Sequence, residues 1–491
     1  MKKNRIFLAF LFLLSIFGGR AQTLVPNAPK TEIGDESSVE LISEDDNYLY
    51  FCAVDIGSSY NDLDDDTYIT VYDKKKHSVV KEHEIDEDFL FRTAYKQDDN
   101  MVLLGYNFNK KTKSFDYFQS SFPIMEKTPR KFVKTTVHSV PAINSTILNA
   151  NIVWSPDRSK MAFVTILRPT NRKLNNYTID VKVCAVDGAT LMQIQQQMNG
   201  TPPSIDNCFL TNDATTYIVE KRKPEDITEE ELGLEIITKY WTYRYLTITS
   251  DGTFAPKTIV EIQLIKPIVN LMPNNNLIFF SETPTGVATF ELDHNGEIST
   301  MHDYEIEIPK EPKGVTFQNH EEGLLFNPLQ ILPLSDGRIM VLGTQYKSQT
   351  GSTDRYYYTY YIYQCLNLFL LDNNEQVTTQ VLPYACQYGT LDPSDLMIEW
   401  DGDVWLLYNG NKENYGGKKA PKWKTLRKME EHCIVIGKLD ENLNVEYTLL
   451  YSPNNNYYAR EYLMEVLDIS DEAVYFLKHR TGDNQIEKII K

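Results

Sequence analysis

A recurring hairpin sets the strongest limit on how this chain can fold. Each copy is a short apolar strand, a tight turn of Asp, Asn, Gly and Ser, and a second, more hydrophobic strand. Eight copies are legible: VELISEDDNYLYFCAV from Val39, FRTAYKQDDNMVLLGY from Phe91, NIVWSPDRSKMAFVTI from Asn151, CFLTNDATTYIVE from Cys208, VNLMPNNNLIFF from Val269, LQILPLSDGRIMVLG from Leu329, LMIEWDGDVWLLY from Leu396 and MEVLDISDEAVYFLK from Met464. The turn residues tolerate left-handed or Asx-turn backbone, and the flanking runs carry β-branched and aromatic residues at strand length. After most hairpins come two further strands around another polar turn, as in YITVYDKKKHSVVKEHEI from Tyr68, VATFELDHNGEISTMHDYEI from Val287 and CIVIGKLDENLNVEYTLL from Cys433.

A four-stranded antiparallel unit returning every 40 to 70 residues or so is what propeller blades require, because one such sheet buries its faces only when neighbours stack on it. The chain therefore reads as all-β: a single eight-bladed β-propeller of four-stranded antiparallel blades. Seven blades, or two smaller propellers, are the alternatives. Helical periodicity is almost absent. The one helix expected runs from Pro224 to Leu234, where Thr228 and Glu231 have capping-box spacing, and it sits inside a loop. The eighth copy ends after QIEKIIK, three strands into its blade, which leaves an outer edge unpaired. Such edges template aggregation, so a segment within Thr23 to Ile33 is expected to supply the missing strand.

The stretch from Trp154 to Val164, WSPDRSKMAFV, resembles the repeat of TolB-type, WD40-like propellers, in which a Trp-Ser-Pro-Asp-Gly turn leads into a strand with a small residue and a Phe. Arg158 stands where that repeat has glycine. The resemblance implies the fold and makes Ser155-Pro156-Asp157 a structural turn. It transfers no functional residue. Ser250, Asp251, Gly252 and Thr253 echo part of a sialidase Asp-box, but the preceding spacing is wrong.

The first residues combine a basic start (Lys2, Lys3, Arg5), an apolar run from Ile6 to Phe17 and small residues Gly18, Gly19 and Ala21. This is the pattern of a signal peptide, 1–21, followed by the propeller domain, 22–491. The run is shorter than the ~20 residues of a spanning helix, and no later stretch is apolar enough to cross a bilayer. Export to the periplasm or the exterior, including a peripheral place on the cell envelope, is the expected destination. The formal charge is −19. Losing Lys2, Lys3, Arg5 and Arg20 takes it to about −23, which makes nucleic acid and anionic lipid poor partners. A protein or a glycan is the expected partner, with the chain itself a monomer. The six cysteines are too sparse for a disulfide scaffold; Cys365 with Cys386 is the pair to test for a bridge.

In a four-stranded blade, the connections between strands one and two and between strands three and four leave by one face. Those between strands two and three and between blades leave by the other. The first class reads as uniformly tight. The second holds the insertions: Asp55 to Asp66, Asn107 to Ser114, Pro169 to Asn176, Lys221 to Lys239, Tyr346 to Arg355, Asn409 to Glu431, Ser139 to Asn149 and Pro309 to Phe326. Function commonly sits on loops held by a rigid scaffold, so this face is nominated. Three features stand out on it. Asp62, Asp64 and Asp66, with Asn61 and Asp65, offer oxygens to a hard cation such as calcium, or form a simply solvated acidic loop. Tyr415, Lys418, Lys419, Lys422, Trp423 and Lys424 form a basic, aromatic loop that can bind acidic groups or the chain's own acidic loops. Tyr356, Tyr357, Tyr358, Tyr360, Tyr361 and Tyr363 alternate along a strand, which splits them between packing and exposure.

Catalysis needs a converging constellation, and the sequence presents no nucleophile elbow, metalloprotease helix or phosphate-binding glycine loop. His138, His302 and His320 lie near inter-blade connections and could meet at a central channel. A secreted binding or scaffold propeller is the leading reading. The alternative is a glycan-active hydrolase or lyase using loop carboxylates.

Overall fold

The computed structural model describes residues 23–24, 30–31, 37–55, 66–76, 78–85, 90–142, 146–169, 171, 174–222, 242–259, 265–282, 286–293, 295, 297–305, 327–352, 357–372, 376–383, 396–400, 402–415, 432–450, 461–469, 473–480 and 483–490. It is a β-propeller. Seven sheets contain four strands each, consecutive in sequence and antiparallel; they are blades 1 to 7 in chain order, beginning at Ser37, Phe91, Ile147, Ser204, Ile265, Asn327 and Leu396. The last hairpin copy belongs to a different kind of sheet. Its strands Glu461–Ile469, Ala473–Arg480 and Asp483–Ile490 are joined by two short N-terminal strands, Thr23–Leu24 and Lys30–Thr31. The expected count of eight blades gives way to the alternative of seven, plus this composite sheet, whose outer position is filled by residues 23–24 and 30–31.

The composite sheet closes the ring. Thr23 pairs with Ile490, Leu24 with Ile489, Lys30 with Gln485 and Thr31 with Asn484, so the N-terminal strands lie along the outer edge of the last strand. On its inner side, Glu461–Ile469 adjoins both the first strand of blade 1, Ser37–Glu44, and the strands of blade 7. First strands also adjoin one another between neighbouring blades, which makes them the innermost layer. The helix expected at Pro224 to Leu234, the segment 1–21 and His320 lie outside the described residues.

Burial follows position within the blade. In blade 3 the second strand, Lys160–Leu167, is buried at nearly every residue, because blades press on both its faces. A continuous apolar run KMAFVTIL is what that environment demands. The outer strand Thr190–Asn199 instead alternates towards exposure. Apolar clusters span blade interfaces: Leu366, Leu368 and Leu370 of blade 6 pack with Met397, Leu406 and Val435 of blade 7. Several buried tyrosines fill these interfaces while their hydroxyls reach the next blade. Tyr117 donates to Val164 O at 2.9 Å, and Tyr217 to Asn275 O at 2.9 Å. Inner-strand amides do the same. Asn270 donates to Ile331 O at 3.0 Å, while the Gln330 side chain both donates to Met397 O and accepts from Met397 N, each at 2.8 Å. An aromatic body with a satisfied polar tip suits a surface that is dry except at its ends.

The turns repeat one geometry. In blade 3, Arg158 N bonds Ser155 O at 2.8 Å, Ser155 N bonds Lys160 O at 3.0 Å, and Arg158 has φ 52°. Gly337 holds the equivalent place in blade 6, with φ 86° and its N bonded to Leu334 O. A turn closing with a left-handed residue matches strand twist, which is why glycine is usual there. Arg158 accepts the strain and puts its guanidinium to use, donating to Leu41 O at 3.1 Å and to Ile42 O on the first strand of blade 1. The same turn recurs between strands three and four of blade 4: Gly252 has φ 84°, and Asp251 accepts from the Thr249 hydroxyl at 2.5 Å and from Thr253 N at 2.9 Å. The partial Asp-box is therefore a blade turn.

These turn carboxylates carry a pH dependence. The Thr249 hydroxyl holds Asp251 down to about 2, and Arg338 and Asn444 hold Asp336 and Asp440 below the usual range. A depressed folded-state value favours the ionised, folded form, so this stability is complete above about pH 4 and is lost as pH falls from there towards 2. Replacing Asp251, Asp336 and Asp440 together by asparagine should flatten the fall in melting temperature between pH 4 and pH 2. An equally steep fall in the variant would contradict the assignment.

Connections on the tight-turn face are not uniformly tight. Blade 2 carries Ile124 to Lys134 between its third strand, Ser114–Pro123, and its outer strand, Thr135–Pro141. Conversely, Asn107 to Ser114 on the other face is a short turn between strands ending at Asn109 and starting at Ser114. Polar residues flank both places in sequence, and only the strand register separates them.

Candidate interaction face

The face that receives the second-to-third-strand connections is built on two buried polar clusters and one projecting ribbon. The first cluster joins blades 3 and 4. Glu220, on the second strand of blade 4 (Thr216–Arg222), is fully buried, and Arg244, on the third (Thr242–Ile248), is 5% exposed. Arg244 Nε donates to Glu220 Oε2 at 2.6 Å, Tyr177 of blade 3 donates to Glu220 Oε1 at 2.6 Å, and Arg244 Nη2 donates to the Tyr177 hydroxyl. Glu220 and Arg244 are cross-strand partners, two residues from the root of the 223–241 connection. Buried charges persist only when paired and hydrogen-bonded, and this closed triangle meets that condition.

The second cluster joins blades 2 and 3. His138 Nε2 lies 2.6 Å from Asp180 Oδ1, both are buried, and Tyr117 stacks on the imidazole at 5.8 Å. Lys182 Nζ donates to Val137 O at 2.7 Å beside them. His138 belongs to the outer strand of blade 2, and His302 to the outer strand of blade 5, Ile298–Glu305. Both stand at the perimeter, so the expected meeting of histidines at a central channel does not occur for these two. Their sequence position near inter-blade connections reflects the end of the outer strand, which is as far from the axis as a blade reaches.

The ribbon belongs to blade 6. Its second and third strands, Ile339–Ser352 and Tyr357–Leu371, are much longer than their neighbours. Asn327–Pro333 pairs only as far as Thr344, and Val377–Pro383 only as far as Cys365. Beyond a register shift after Gln345, seven residue pairs continue alone, from Tyr346 with Tyr363 to Ser352 with Tyr357. At about 3.3 Å per residue this two-stranded arm stands roughly 20 Å beyond the four-stranded sheet. The tyrosine-rich stretch from Tyr357 onward is one of its strands, while Tyr356 lies outside the described residues. Register places Tyr357, Tyr361 and Tyr363 on one face and Tyr358 and Tyr360 on the other. Lys347 is the one charged residue in 346–352 and 357–363.

Of the basic loop, Tyr415 is described and the cations and Trp423 are not: Lys418, Lys419, Lys422 and Lys424 lie outside the described residues. Tyr415 follows a single 3-10 turn, Lys412–Asn414, capped by Asn411. Its hydroxyl donates to Pro383 O at 2.7 Å and lies 3.1 Å from the Tyr408 hydroxyl, and its ring packs on Tyr447 at 4.9 Å. It anchors the loop's departure to blade 6 and to the blade 7 interior, where burial holds Tyr408 far above the usual phenol range. Of the calcium candidates, Asp66 opens the third strand of blade 1 opposite Asp55, while Asp62 and Asp64 lie outside the described residues. Among the described residues, no three His, Cys, Asp or Glu side chains gather as a metal site, and no helix is long and apolar enough to cross a membrane. Burial raises the Cys208 and Cys433 thiols to about 12, so neither is a nucleophile at neutral pH. Cys365 is buried in the third strand of blade 6; Cys386 lies outside the described residues.

No protein-family model and no curated protein sequence matches the chain. Solved structures do. The β-propeller domain of the trilobed protease from Pyrococcus furiosus, which has an open velcro topology, is 8% identical over 86% of this chain and 98% of that one, at a TM-score of 0.36. The WD40 domain of SCAP from fission yeast is 10% identical over 96% and 98%, at 0.39. A catalytically inactive virginiamycin B lyase from Staphylococcus aureus is 11% identical over 71% and 96%, at 0.24. The propeller architecture of this chain rests on its own strand order, seven four-stranded antiparallel sheets and one composite sheet.

Proposed function

We propose that the protein is an exported binding platform, a rigid ring that engages a partner protein or glycan through its elaborated face. The observation that carries this reading is the blade 6 ribbon. An isolated two-stranded hairpin is marginal in water, and long unprotected edges are ordinarily blunted by charge, proline or cover. The ribbon strands have a single charge and no proline, and no described strand pairs either edge beyond Gln345. A tyrosine-rich arm of such low charge suits strand addition by an extended polypeptide or stacking against sugar rings. The buried clusters beneath the same face hold its blades in register.

The test replaces 346–363 by a short Asn-Gly turn. Capture of envelope proteins and binding to a glycan array are then compared with the parent. The variant should lose the captured ligand while melting within a few degrees of the parent, since the four-stranded part of blade 6 is untouched. Undiminished capture by a folded variant would overturn the reading. Release of sugars from a bound glycan would move the protein to the hydrolase or lyase class.

A further inference from the structure

The opposite face carries a feature that the platform reading does not use. We infer that the Ile124 to Lys134 connection of blade 2 is a preformed docking site for a short acidic peptide segment of a partner protein.

Its backbone is held from below. Ile124 and Phe132 are buried in the core cluster that contains Phe122, with the Phe122 and Phe132 rings 5.6 Å apart. His83, on the outer strand of blade 1 (Ser78–Ile85), is wholly buried and reaches the connection with both ring nitrogens. Nε2 lies 2.6 Å from Ile124 O and Nδ1 3.0 Å from the Thr128 hydroxyl. A carbonyl only accepts, so Nε2 carries the proton and Nδ1 accepts from Thr128. Ile124 N also bonds Asp99 O at 3.0 Å. The connection is therefore fixed by blades 1 and 2 together.

Its outer surface has the opposite sign to the rest of the chain. Lys127, Arg130, Lys131 and Lys134 are all exposed, against a single acid, Glu126, within the segment. Lys127, Arg130 and Lys131 form no ion pair with a described residue, whereas Lys134 covers the Phe118 ring at 4.7 Å. Met125 and Val133, 51% and 76% exposed, flank the cations with apolar surface. Three exposed cations with no ion pair to a described residue, beside exposed apolar side chains on a backbone fixed from below, match an acidic segment with an apolar residue of its own.

The size of the ligand follows from the chain's net charge of −19. Screening limits the local positive field to a Debye length of about 8 Å at physiological salt. A membrane or a long polyanion laid over the connection would also face the acidic remainder of the surface. A short segment meets only the basic patch.

The probe is a fluorescently labelled peptide of about twelve residues, alternating glutamate and aspartate with leucine and phenylalanine, titrated by anisotropy at low and physiological salt. The comparison protein carries Lys127→Ser, Arg130→Ser and Lys131→Ser, exposed changes that should leave the melting temperature unaltered. The peptide should bind the parent, weaken as salt rises, and bind the variant at least tenfold less tightly. A heparin fragment and phosphatidylglycerol vesicles are tested alongside. Equal binding by the variant, no peptide binding by the parent, or binding of heparin or vesicles in place of the peptide would each overturn the proposal. Removing the blade 6 ribbon should leave this binding unchanged, which separates it from the platform reading.

Discussion

Replacing Glu220 by alanine is expected to cost about 3–5 kcal/mol of folding stability, because it breaks a buried charge pair by removing one partner. The change removes the Glu220 carboxylate that the buried Arg244 guanidinium and the Tyr177 hydroxyl both donate to. Most of the loss is the desolvation of the remaining guanidinium and not the net worth of the pair, since desolvating two ions offsets much of their attraction. Removing the whole triangle should therefore hurt less than removing one corner. Glu220→Leu with Arg244→Met and Tyr177→Phe should recover most of the stability, with Tyr177→Phe alone costing about 1 kcal/mol. Urea unfolding of the three proteins distinguishes the cases. A Glu220→Ala cost below about 1 kcal/mol would mean that the cluster is wet and dispensable.

Deleting residues 22–31 is expected to open the ring. The deletion removes four paired residues along the outer edge of Asp483–Ile490. At roughly 1 kcal/mol per lost hydrogen bond this amounts to about 4 kcal/mol, or a fall in melting temperature of about 5 °C or more. The exposed edge belongs to the strand NQIEKII, whose apolar residues favour pairing with another chain, so soluble oligomers should appear as well. An unchanged melting curve and a monodisperse sample would show that the composite sheet holds without its N-terminal strands.

The eight hairpins are legible in the sequence because everything that makes them is local. Turn chemistry, strand length and an apolar second strand all fall within about fifteen residues. Asp251-Gly252 and Asp336-Gly337 read as turns for the same reason, and Arg158 reads as a turn residue beside its neighbours Ser155 and Asp157. Contacts between blades are another matter. Glu220 and Arg244 sit in runs, TYIVEKR and TYRYLTI, that otherwise read as buried strand; two opposite charges in facing apolar strands are the local signal for an internal ion pair. Tyr177 comes from another blade, and no local pattern assigns it to them. His138 looks like a loop residue because it lies three residues from the end of the outer strand at Pro141, and its partner Asp180 is 42 positions away. The Ile124 to Lys134 connection reads as tight because polar residues end a strand without giving the distance to the next. The tyrosine run is visible in composition, but only the pairing of Ser352 with Tyr357 shows that it continues past the blade as a ribbon.

If the elaborated face, led by the blade 6 ribbon, is where this protein meets its partner, crosslinking in intact cells should show it directly. A photo-reactive phenylalanine analogue is placed at Tyr360 on the ribbon and, in a second protein, at the exposed Leu191 on the outer strand of blade 3. Irradiation should give a defined adduct from position 360 and none from position 191. An adduct from position 191 with none from position 360 would contradict this placement of the partner.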